Sequence, residues 1–405
     1  MTKLRWHFLA LLLLGTWSAT VCCANRPADD QAEPGRALPA PHLNRLFQRT
    51  SGWTGADGAS SVPLTDTLTL WLFGDTFIGR VYDGARAKTT LINNSVALQV
   101  LRRDRGGEIV SARPRFYWKT ARDQSQHAKL WQESRFERRA NGDKPTSFFL
   151  PPDRKGWFWP LSGVLADNAL FVVLLQLDKT DETSVFGFRT IGLWLARVSN
   201  PLSSPSDWVV SYRRVPWCLT GTERQVTFGS AIMKDGDAVY VYGIDEDLRP
   251  GKAQKSLIVA RAPMAGFDRF SAWRFWNGTA WGANFTRSAA IAEGLVDEFS
   301  VSRLPGTDRL VLVQTEPGLS PRIVARMAGA PQGPWSTPRP VYTVPEASGS
   351  KRLFAYAAKA HPELATQPHA LVLTYVVNSF DFFDLIKQAN LYWPTFLQLR
   401  IDSRS

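Results

Sequence analysis

Two aspartates bracket one short hairpin, in Trp53-Thr-Gly-Ala-Asp57-Gly58 and, further on, Leu70-Trp-Leu-Phe-Gly-Asp75-Thr76. A turn centred on Asp66 sets Asp57 opposite Asp75. Side chains directly opposed across an antiparallel pair stand roughly 5 Å apart at Cβ. Two carboxyls that close cannot both ionise freely, so one pKa rises while the other stays low. That division supplies an acid and a base, the arrangement glycoside hydrolysis uses: one protonated carboxyl for the leaving oxygen, one carboxylate for water or the sugar carbon. A register displaced by one residue would separate the two acids. Asp57-Gly58 is also a common turn dipeptide, and Gly74-Asp75-Thr76 can simply end a strand, so a structural reading stands beside the catalytic one.

The elements that must position this pair are strands. From Trp53 onward, short runs of Val, Leu, Ile, Phe and Trp alternate with Gly, Pro, Asp and Ser clusters, and no sustained helical period appears. One core recurs at nearly equal spacing, Ala196-Arg197, Ala260-Arg261 and Ala325-Arg326, each followed by a turn cluster and a tryptophan: Trp208, Trp273, Trp335. Upstream of each core lies a hairpin pattern. Hairpin, third strand and outer strand make a four-stranded sheet, and sheets repeated about an axis make a propeller. Five units follow, at about 53–100, 157–215, 226–275, 297–343 and 354–401, predicting an all-β, five-bladed β-propeller of four-stranded antiparallel sheets over 43–405. A double-layer sandwich is the alternative. The basic stretch at about 101–156 is expected to add an outer strand and a long loop.

By this repeat, the positions at the Asp57 end lie near Trp159, Phe228, Glu298 and Tyr356. Glu298 is then a third carboxylate, tuning the pair or holding a sugar hydroxyl, or else a solvated loop residue beside Asp297. Trp53, Trp157 and Trp159 fall at strand starts, where rings can stack on sugar faces, although most of the 16 tryptophans are expected to pack between blades. Lys359 and His361 alternate on one strand, share a face and suit an anionic or polyhydroxylated ligand. A turn before Pro362 explains His361 equally well.

Residues 1–24 read as a signal peptide, with Lys3 and Arg5 before the apolar run Phe8 to Leu14 and a cut after Ala24. A lipoprotein signal at Cys22 or Cys23 is the rival. Residues 25–42, rich in Pro, Ala, Asp and Glu, read as a linker. The expected location is secreted, periplasmic or envelope-associated, without an integral span once the leader is cut. Beyond the leader only Cys218 remains, which excludes an internal disulfide; its neighbours mark it as a small buried apolar residue. A formal charge of +12 favours an anionic partner, such as an acidic polysaccharide, while export argues against nucleic acid. The histidines and cysteines show no zinc spacing, and neither a phosphate-binding glycine loop nor a Gly-x-Ser-x-Gly elbow occurs. No metal or cofactor is expected, and the protein reads as a monomer.

The combination of Trp53-x-Gly-x-Asp57-Gly, Leu70-Trp-Leu-Phe-Gly-Asp-Thr76, Asn93-Asn94-Ser-Val96, Trp159-Pro160 and Ala358-Lys-Ala-His-Pro-Glu363 resembles the secreted propellers of domain-of-unknown-function family 4185 over about residues 50–400. The resemblance implies a funnel-shaped site at one end of the axis. Asp57 and Asp75 match its carboxylates, and Asn94 joins the substrate-binding set through its motif. It also implies an envelope polysaccharide as substrate, with a furanose polymer such as D-arabinan as the example. A catalytically idle, carbohydrate- or envelope-binding propeller is the second functional reading, and a protein-interaction scaffold the third.

Overall fold

The computed structural model describes residues 35–105, 112–121, 129–132, 144–182, 187–252 and 254–401. The predicted leader, 1–24, lies outside them. Among the described residues no helix is long and apolar enough to cross a membrane.

The chain forms a five-bladed β-propeller of antiparallel sheets. From the axis outward, blade one is Ser60–Thr65, Leu68–Phe73, Ser95–Val100 and Arg115–Ala121, with the short strands Lys129–Gln132 and Lys144–Thr146 pairing the last of these. The basic stretch therefore does contribute an outer strand. Blade two is Trp157–Ala166, Ala169–Lys179, Phe188–Val198 and Val210–Arg214. Blade three is built on Arg224–Asp235, Ala238–Asp247, Gln254–Pro263 and Arg274–Trp276, with three two-residue strands added at its edges. Blade four is Phe299–Arg303, Leu310–Thr315, Arg322–Ala328 and Arg339–Thr343. Blade five is Leu353–His361, Ala370–Ser379 and Thr395–Arg400, and its outermost strand is Leu38–Pro39 from the other end of the chain. The segment read as linker thus becomes structured before residue 42: Leu38–Pro39 closes the last blade, and the helix Pro41–Phe47 follows directly. Composition alone missed it because a two-residue strand has no periodicity to detect.

Each Ala-Arg core lies on the third strand of its blade, which is why the spacing is so regular. The apolar residues sort into five clusters, one at each interface between neighbouring blades. Leu70, Leu72 and Val96 of blade one meet Leu170 and Val172 of blade two, and Trp71 and Phe73 meet Val372 and Phe396 of blade five. The ring closes because no blade is left with an uncovered face. Inner strands are also tied across blades by serines: Ser60 Oγ donates to Leu161 O (2.7 Å), Ser162 Oγ to Gly229 O (2.7 Å), and Ala360 N to Ser300 Oγ (2.7 Å).

Blade one departs from the simple repeat. A separate three-stranded ribbon forms from Ser51–Ala56, which precedes its first strand, and from Thr76–Tyr82 and Ala85–Ile92, where the chain leaves the blade between its second and third strands. Trp53 accordingly belongs to the ribbon and not to an inner strand of a blade.

Candidate active site

The first hairpin pairs Ser60 with Leu72, Ser61 with Trp71 and Val62 with Leu70, a register centred on Asp66. Extending it reaches Asp57 and Asp75, at the point where the chain passes between blade and ribbon. Asp57 N donates to Asp75 O (3.3 Å), and Gly74 N donates to Asp57 O (3.1 Å). The glycines around the acids make this approach feasible. A Cβ on Gly74 would lie 2.3 Å from Asp57 Oδ1, and Gly58 has φ +79°, which a larger residue rarely adopts.

Each carboxyl has its own donors. Asp57 Oδ2 accepts from the hydroxyls of Tyr356 (2.6 Å) and Tyr392 (2.7 Å), and Asn378 Nδ2 donates to the Tyr356 hydroxyl (3.3 Å). Asp75 Oδ1 accepts from Trp159 Nε1 (2.9 Å) and Asn93 Nδ2 (3.2 Å). Lys359 Nζ, almost wholly buried, bonds Gly58 O and Glu298 Oε1 (3.0 Å), bringing a third carboxylate from blade four to the same end of the axis. Two inner strands re-aim their side chains here through bulges: register shifts fall just after Trp159, between Pro160 and Ser162, and just after Tyr356, whose neighbour Ala357 has φ +55°.

Desolvation dominates the electrostatics. Burial, then the charges of Asp75 and Glu298, push Asp57 up to about 8 against the two tyrosine hydroxyls. Burial pushes Asp75 up to about 6, with Trp159 and Asn93 pulling it back. A pair this close titrates as a unit. Between about pH 6 and 8 it holds one proton, and the balance of neighbours places that proton on Asp57.

The structure gathers Asp57, Asp75, Trp159, Glu298, Tyr356 and Lys359, and leaves four expected residues outside. Trp53 is fully buried, stacked on Phe116 with ring centroids 4.2 Å apart, because the ribbon presses it against blade one. Asn94 is fully buried too: its amide donates to Phe149 O (3.0 Å) and Phe158 O (2.9 Å), and Phe149 N donates to its Oδ1 (2.7 Å). It staples the chain between blades one and two, while its neighbour Asn93 reaches the acids. His361 shares a face with Lys359 but ends between blades five and one, bonded to Ser61 Oγ (2.6 Å) and Thr374 Oγ1 (2.8 Å), and burial pushes it down to about 3. Phe228, expected at the site end by the repeat, is buried against Phe275. Cys218 is partly buried, and that burial pushes its thiol up to about 11. Tyr392, Asn93 and Asn378 were not anticipated. Tyr392 sits at φ +68° in an irregular segment, and no periodic signal marks it.

Among the described residues no cluster of three or more His, Cys, Asp or Glu has the arrangement of a metal site. The fold is similar to that of a protein of Bacteroides ovatus described as a candidate hydrolase, with a TM-score of 0.67, 17% identity, and coverage of 90% of both chains. A GH43_1 enzyme of Xanthomonas citri aligns with a TM-score of 0.44 and 13% identity over 89% of this chain and 90% of its own. Notoamide biosynthesis cluster protein J of Aspergillus sp. (strain MF297-2) is 32% identical over 146 residues, 35% of this chain and 36% of that protein. The chain therefore spans about a third of that relative's length. The expected membership of family 4185, drawn from short motifs spread over about residues 50–400, is overturned: the family model that matches, over residues 41–401, is a different one. The chain belongs to the domain-of-unknown-function family DUF5005.

Proposed function

We propose that the protein is a glycoside hydrolase acting on a polysaccharide outside the cytoplasm, with Asp57 as proton donor and Asp75 as base or nucleophile. The observation that carries this reading is the adjacent carboxyl pair: both are pushed upward by burial, and the charges of Asp75 and Glu298 lift Asp57 further, so that near neutral pH Asp57 is protonated and Asp75 ionised. The tyrosine hydroxyls engage Asp57 Oδ2, so the proton to be donated is assigned to Oδ1. As it passes to the glycosidic oxygen, Tyr356 and Tyr392 are already placed to stabilise the carboxylate that forms. Asp75 then acts on a water or on the sugar carbon. Trp159, half-buried and edge-on to Phe188 at 4.8 Å, offers a ring face beside Asp75 on which a sugar can pack. Glu298, held by Lys359, suits a sugar hydroxyl.

Export is supported by the leader pattern in 1–24, and an acidic polymer by the net charge of +12. The D-arabinan expectation came with family 4185 and goes with it. The test is reducing-sugar release from a panel of neutral and acidic envelope polysaccharides by the mature protein. Release that disappears in folded Asp57→Asn and Asp75→Asn variants is the expected result. Binding to a polysaccharide with no release from any of them would replace the hydrolase with a carbohydrate-binding propeller.

A further inference from the structure

The ribbon is an addition to the five blades, and its buried Arg86 engages two chain segments that meet at Asp57. Arg86 is 3% exposed, and every hydrogen bond described for its guanidinium goes to a backbone carbonyl. Nε and Nη2 donate to Thr54 O (3.1 and 2.7 Å), on the strand that leads to Asp57. Nη2 also donates to Ala389 O (3.3 Å) and Leu391 O (2.9 Å), and Nη1 to Leu385 O, on the segment that leads to Tyr392. The guanidinium lies over the Phe77 ring at 4.7 Å, and Phe77 meets Tyr392 edge-on at 5.4 Å. Gly55 permits the junction: a Cβ there would lie 2.4 Å from Arg86 Nη2 and 2.7 Å from Tyr392 O. Tyr392 itself is held in the left-handed region, a conformation that persists where the surroundings over-determine it.

We propose that Arg86 is a positioning residue for Asp57: by binding the carbonyls of Leu385, Ala389 and Leu391 to that of Thr54, it holds the Tyr392 hydroxyl on Asp57 Oδ2, and delivering Arg86 is what the ribbon is for. A planar guanidinium with five donors can bridge two backbones in this way, whereas a lysine ammonium has three donors on one point and cannot span them. The inference rests on the reading of Asp57 as the reacting carboxyl. Its test reads Asp57 directly and needs no substrate, so a failure to find hydrolysis and a failure of the coupling are separate results.

The experiment is a ¹³C NMR titration of the protein labelled at aspartate Cγ, with Asp57 assigned through Asp57→Asn. The other groups facing Asp57 (Asp75, Glu298, Lys359 and Tyr356) are the same residues in every variant. Tyr392→Phe should raise the Asp57 titration by about one pH unit, the size of one charge-assisted hydrogen bond. Arg86→Lys should raise it comparably although the charge is kept, and Arg86→Lys/Tyr392→Phe should shift it no further than Tyr392→Phe alone. An unmoved Asp57 in folded Arg86→Lys or in Tyr392→Phe would overturn the proposal, as would additive shifts. An Arg86→Lys protein that fails to fold would assign Arg86 to the fold in place of the site and overturn it as well.

Discussion

Replacing Trp159 with phenylalanine removes one hydrogen-bond donor from Asp75 and keeps an aromatic ring beside Phe188. The indole N–H donates to Asp75 Oδ1 at 2.9 Å and favours the charged form. A hydrogen bond to a charged group contributes about 1.5–3 kcal/mol, and one pKa unit corresponds to about 1.4 kcal/mol. Water has partial access to this carboxyl and replaces some of the loss, so the expected rise is about one unit. The sign follows from the donor: without it the carboxylate is less stable, and Asp75 stays protonated to higher pH. In kcat/KM against pH, the acid limb moves from about 6 toward about 7, while the basic limb, set by Asp57 near 8, stays in place. The window narrows from below, and activity at pH 6 falls about fivefold beyond any pH-independent loss. The assay is the pH–rate profile of wild type and variant on one polysaccharide, with circular dichroism confirming the fold. An acid limb that stays put or moves down would refute the assignment of Asp75 as the group that must ionise.

Asp57→Asn should raise the melting temperature at pH 8–9. A carboxyl whose folded pKa is lifted well above its usual value loses stability as pH rises from about 4 through about 8, and asparagine removes that penalty; calorimetry should show a clearly larger gain at pH 9 than at pH 5. Gly74→Ala should abolish turnover, because the new methyl lies 2.3 Å from where Asp57 Oδ1 now sits, and the secondary structure seen by circular dichroism should survive. Asn94→Ala should destabilise the protein by about 3 kcal/mol in urea unfolding, since two buried carbonyls and one N–H lose their partner. Its folded fraction should keep the wild-type pH profile, because Asn94 touches neither carboxyl.

The propeller was legible because its repeat is covalent: the Ala-Arg cores mark third strands, and the hairpin register follows from the turn at Asp66. Asp57 and Asp75 meet through that same local register, and Trp159 and Tyr356 through the spacing of the blades. What was not legible comes from departures from the repeat. Nothing in Ser51–Ala56 announces that it joins a ribbon, so the sequence pattern places Trp53 on an inner strand as a sugar platform, whereas it packs in the core. Asn93 and Asn94 differ only in which way a loop turns, and one faces the acids while the other faces the core. His361 has the right strand face, but the blade interface covers it. Tyr392 reaches Asp57 from an irregular segment 335 residues away in sequence, fixed by a buried arginine. No pattern along the chain encodes that contact.

The central claim, that Asp57 and Asp75 together cleave a glycosidic bond, is tested most directly by turnover at pH 7 of wild type, Asp57→Asn and Asp75→Asn on the same polysaccharide. The account predicts losses of about 10²–10⁴-fold in each variant with folding intact. Wild-type turnover in either folded variant would contradict it.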